Sequence, residues 1–83
     1  MQRWLKCNLE RGMFSDEMVV TYPATGTEIT TVFVPSSDVR GRAGETGKVR
    51  VMVAKRGAET LAILPTSYRD SVAVSEHDLS DSP

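Results

Sequence analysis

Lys48-Val49-Arg50-Val51-Met52-Val53 decides the fold. Val49, Val51 and Val53 alternate with Lys48, Arg50 and Met52. Period-two alternation of this kind puts one set on a buried face and the other on the opposite face of a sheet. Just downstream, Arg56-Gly57 precedes a second apolar run, Thr60–Leu64, and reads as a tight hairpin turn. Upstream, Leu5, Cys7 and Leu9 alternate with Trp4, Lys6 and Asn8 and give a second strand of the same kind.

Three further strands are expected near Met18–Tyr22, Ile29–Val34 and Ser71–Val74. All are rich in β-branched residues and bounded by Gly or Pro. Pro23-Ala24-Thr25-Gly26 reads as a longer turn. No window carries the 3.6-residue period of a helix. The pattern predicts helical turns only.

An internal echo supports a two-part layout. Val32-Phe33-Val34-Pro35-Ser36-Ser37-Asp38-Val39 lines up with Val72-Ala73-Val74-Ser75-Glu76-His77-Asp78-Leu79, 40 residues on. Each half then reads as three strands and a short helical turn, with Ser36 and Ser75 as capping residues. Five or six short strands with frequent turns predict an all-β chain folded as a small five- or six-stranded barrel. The layout resembles an Src-homology-3-like barrel, or a pseudo-two-fold barrel built from two halves. The resemblance is of fold type only.

At 83 residues the chain suffices for one domain, expected over residues 1–79. Ser80, Asp81, Ser82 and Pro83 follow the last apolar residue, Leu79, and are expected to be a disordered tail. Composition is that of a folded protein: 40% hydrophobic and 25% charged residues. No apolar run reaches the roughly 20 residues of a membrane helix, and Met1–Cys7 lacks the apolar stretch of a secretory signal. The expectation is a cytoplasmic protein with no membrane partner. One cysteine excludes an internal disulfide and a multi-cysteine zinc site.

The net charge is −1, but it is unevenly laid out. Residues 12 to 39 contain no Lys or Arg. Residues 40 to 56 carry Arg40, Arg42, Lys48, Arg50, Lys55 and Arg56 against Glu45 alone.

Few motifs carry chemistry. Gly41-Arg42-Ala43-Gly44-Glu45-Thr46-Gly47-Lys48 ends in the Gly-Lys of a phosphate-binding loop. It lacks the first glycine and the hydroxyl residue after the lysine, and it opens a strand where that motif opens a helix. A mobile glycine-rich loop is the simpler expectation. Cys7 shares parity with Leu5 and Leu9, which places it among core residues. His77 lies between Glu76 and Asp78 with no second imidazole or thiolate to complete a metal site. Ser36, Ser37, Asp38 and His77 hold the residue types of a hydrolytic triad without a nucleophile elbow. No catalytic residue, metal or cofactor is expected, and the chain is read as a non-enzyme.

Binding residues are the remaining candidates. Trp4 and Lys6 point outward on one strand, Lys48 and Arg50 on another, and Arg40 and Arg42 lie on the connecting loop. If the strands are neighbours, an aromatic ring and several cations share one face, as in small barrels that bind single-stranded nucleic acid. The other placement has Trp4 covering an open end of the barrel. The leading expectation is a binding or adaptor module for a protein partner, by strand addition at an open edge. A weak single-stranded nucleic-acid binder using residues 40–56 is the alternative.

Overall fold

The computed structural model describes residues 1–23 and 29–83. The expected turn at Pro23-Ala24-Thr25-Gly26 lies outside them except for Pro23. Among the described residues eight strands form one sheet: β1 (Gln2–Arg11), β2 (Glu17–Tyr22), β3 (Thr30–Pro35), β4 (Val39–Arg40), β5 (Thr46–Arg56), β6 (Glu59–Ile63), β7 (Ser71–Ala73) and β8 (Leu79–Ser80). Two 3-10 turns, Ser36–Asp38 and Glu76–Asp78, precede β4 and β8. The sheet order is β3-β2-β1-β5-β6-β7, with β4 added to β5 and β8 to β1. It curls into a nearly closed barrel. Six of the strands lie where the alternation predicts them; β4 and β8, two residues each, are too short for alternation to register.

The barrel divides into equivalent halves. β1 and β5 pair antiparallel with Leu5 opposite Val49, Trp4 opposite Arg50 and Lys6 opposite Lys48. β4 pairs with β5 through Val39 and Val49, and β8 pairs with β1 through Leu79 and Leu5. Each half is therefore closed by the last strand of the other. Superposing these ladders matches Leu5 with Val49, Cys7 with Val51, Val20 with Ala62, Tyr22 with Leu64, and Val39 with Leu79. Every member of these pairs is buried in the core. The echo read from Val32–Val39 and Val72–Leu79 corresponds to β3, turn and β4 against β7, turn and β8.

Local chemistry fixes the connections. The β5–β6 hairpin closes on Gly57-Ala58, with Gly57 at φ 62°, a left-handed conformation that glycine adopts without penalty. Gly47, in β5, has both β4 and β1 close by: a Cβ there would run into the Arg40 carbonyl oxygen and the Leu9 side chain. The stretch before β5 is tied down by Gly44 N–H donating to the Leu9 carbonyl (2.7 Å) and Leu9 N–H to the Glu45 carbonyl (3.0 Å). Of the two serines expected as caps, only Ser75 acts as one, its Oγ accepting from the His77 amide (3.3 Å). Ser36 is the first residue of its turn, and Pro35 holds the capping position without a side-chain bond.

The chain's end also departs from expectation. Ser80 belongs to β8 and pairs with Trp4, so the folded unit extends past Leu79. Arg3 Nε meets Asp81 Oδ1 at 3.1 Å, and Lys48 Nζ donates to the Ser82 carbonyl at 3.2 Å.

Candidate functional site

The expected basic face exists. The β1–β5 and β4–β5 ladders bring Trp4, Lys6, Arg40, Lys48 and Arg50 onto one side of the sheet. Its internal wiring differs from the expectation. Trp4 is only 5% exposed. The guanidinium carbons of Arg40 and Arg50 stand 5.0 and 5.4 Å from its ring centroid, within cation–π range. Trp4 therefore offers no open ring to a base. Alternation told correctly that it leaves the core face; it carries no information on whether that outer side is covered. Here β8 and two arginines cover it.

Three of the cations, Arg40, Lys48 and Arg50, have partners within the chain. Arg50 Nε lies 3.6 Å from Asp38 Oδ1, an ion pair beyond hydrogen-bond distance. Lys48 Nζ donates to Ser80 Oγ (3.1 Å), and Arg40 Nη1 to the carbonyls of Ser37 (3.1 Å) and Val39 (2.9 Å). Lys6 and Arg42 are exposed, without side-chain hydrogen bonds or ion pairs among the described residues.

Of the residues weighed for catalysis, Cys7 is sequestered and Asp38 is ion-paired. Cys7 is buried, and burial pushes its thiol up to about 12. That removes the thiolate a nucleophile needs. Asp78, beside His77, accepts from the Tyr22 hydroxyl (2.7 Å), and Glu76 accepts from Lys55 Nζ (2.5 Å). Asp38 faces Arg50.

A second feature was missed from the sequence. β3 pairs with β2 alone, so its other side carries no ladder among the described residues. Its outward side chains are Thr31, Phe33 and Pro35, and none of Thr30–Pro35 is charged. Phe33 is 57% exposed. Tyr68, in the β6–β7 connection, is 90% exposed, and both aromatic residues line one cleft of about 310 Å³ beside β3. The signal was present in Val32-Phe33-Val34: valines inward on a strand force the phenylalanine outward.

No helix among the described residues is long and apolar enough to cross a membrane. No family model, no curated protein and no solved structure matches this chain.

Proposed function

We propose that the chain is a non-catalytic binding module that takes an extended protein segment along β3 by strand addition. One observation carries this reading. Among the described residues β3 is an uncharged strand paired on one side only, beside the exposed rings of Phe33 and Tyr68. Natural edge strands are usually blunted by lysine, proline or cover, because a bare edge templates pairing with another chain. In strand addition the main chain supplies affinity and alternate side chains supply selectivity. Pro35 limits the edge at one end, since it has no amide hydrogen to donate.

The reading includes a cytoplasmic setting, which suits an unpaired cysteine. Of the two expected barrel types, the matched ladders support the pseudo-two-fold one over the Src-homology-3-like one. Nucleic-acid binding stays the second reading because Lys6, Lys48 and Arg50 share a face, but the covered Trp4 and the partnered cations weigh against it.

The test is amide exchange of the whole chain with and without a peptide selected from a displayed random library. Protection gained in β3, and binding lost in Phe33→Lys, are expected. Protection confined to β1 and β5 would overturn the reading.

A further inference from the structure

The geometry points to the partner's chemistry: we propose that the segment added to β3 is basic, with an aliphatic or aromatic residue beside Phe33 and Lys or Arg two positions away on either side. This rests on the strand-addition reading and specifies its ligand. Two clefts follow the unpaired side of β3. One, of about 330 Å³, runs between Phe33 and Pro35 and the facing Pro65 and Thr66, with Asp16 and Glu17 in its wall. The other, of about 310 Å³, includes Val32, Phe33, Thr66, Tyr68 and Asp70. Phe33 and Thr66 belong to both, so the clefts join into one groove. Glu17 is the cross-strand partner of Pro35, which puts the first pair of carboxylates at that end of β3. Asp70 lines the second cleft with Val32, which precedes Phe33 in the strand.

The carboxylates at the two ends, Asp16, Glu17 and Asp70, are not ion-paired among the described residues, although Arg11 shares a neighbouring cleft with Glu17. Glu17 accepts from the amides of Met13 (3.0 Å) and Phe14 (3.3 Å), and Asp70 from Thr66 Oγ1 (2.8 Å). These neutral donors leave the negative charge in place. Residues 12 to 39 supply no cation at all. Arg69, next to Asp70 in sequence, lines the adjoining cleft of Arg50, Met52, Pro65 and Thr66 and is absent from the walls of the two β3 clefts. Charges at the rim of a binding surface select partners of opposite sign and repel those of the same sign. On an added strand, residues two apart point to the same side, so one apolar side chain at Phe33 places its second neighbours toward the two acidic ends.

The experiment uses the full chain and two synthetic seven-residue probes, alike except that a central leucine is flanked two positions away by arginine in one and by glutamate in the other. The arginine probe should bind about tenfold or more tightly at low salt, and this preference should shrink as salt rises. Asp16→Lys combined with Asp70→Lys should invert the preference. Phe33→Lys and, separately, Thr31→Lys should abolish binding of both probes, with thermal melts checking that each variant folds. If both probes bind alike and Phe33→Lys still abolishes binding, the basic-partner inference falls and strand addition stands. If neither probe binds, or binding ignores both lysine substitutions on β3, both fall.

Discussion

Leu5 and Val49 face each other across the β1–β5 ladder, both fully buried, and each is also paired with the closing strand of the opposite half, Leu5 with Leu79 and Val49 with Val39. The two residues occupy equivalent places, so the line that relates the halves passes between them. Losing either one loosens both closures at once.

Leu5→Ala should therefore destabilise the fold by about 2–5 kcal/mol, the usual range for emptying a well-packed leucine site. Small domains have only about 5–15 kcal/mol in total. Val51→Asp, one pleat away in the same core, should abolish the cooperative transition because it buries a charge without a partner. Denaturant melts followed by circular dichroism check both. A Val51→Asp melt like the parent's would mean that β5 faces the other way.

Tyr22 ties the first half to the second. Its hydroxyl donates to Asp78 Oδ2 at 2.7 Å and accepts from the Ser75 amide at 3.1 Å. Burial raises its pKa above the usual 10.0; the Ser75 amide works against that rise and the Asp78 carboxylate adds to it. Tyr22→Phe keeps the ring and strands both partners, so it should cost about 1–3 kcal/mol. The equivalent position in the other half is Leu64, which shows that an apolar side chain fills the site. A loss well below that range in a denaturant melt would show that water replaces the hydroxyl without penalty.

Cys7 makes stability pH-dependent on the alkaline side. Its folded pKa of about 12 lies above the ordinary 9.0, because burial disfavours the thiolate. The contribution is intact below 9.0 and is lost as pH rises from there toward 12, since the unfolded chain releases the proton first. Cys7→Val, which copies the equivalent Val51, should flatten this decline. Melting temperatures for the two proteins at several pH values from 8 to 10.5 measure it. Parallel declines would remove Cys7 as the cause.

The strands were legible where side-chain parity and burial coincide. Leu5, Cys7 and Leu9 and Val49, Val51 and Val53 give β1 and β5 because one face of each is core. The likeness of β3 and its following turn to β7 and its following turn was legible in the repeated valines and aspartates. For Trp4, alternation names only a side of the sheet and leaves both placements open, whereas its cover comes from residues distant in the chain: Ser80, Arg40 and Arg50. The edge of β3 was not legible at all. Which strand lies at a sheet's end depends on long-range pairing, and no local pattern encodes it.

The last prediction separates the two functional readings and uses Trp4, the chain's one tryptophan, as its reporter. A single-stranded oligonucleotide held by this basic face would have to displace contacts already made. Lys48 would leave Ser80, Arg50 would leave Asp38, and the arginines would uncover the indole before a base stacked on it. Each exchange subtracts from the counterion release that drives such binding. Acidic neighbours of the same chain add repulsion, as the net charge of −1 reflects. Binding should be weaker than roughly 100 µM even at low salt, the weak limit of non-specific association. Indole emission should stay that of a buried tryptophan as oligonucleotide is added, and acrylamide should quench it poorly throughout. Trp4→Ala should register as lost stability, about 3–5 kcal/mol for a buried tryptophan, and not as lost oligonucleotide affinity. Fluorescence anisotropy of a labelled oligonucleotide, read beside the indole emission, checks all of this. Low-micromolar binding that weakens steeply with salt and falls in the Lys48→Ala, Arg50→Ala double variant would make the basic face the working surface and set aside strand addition at β3.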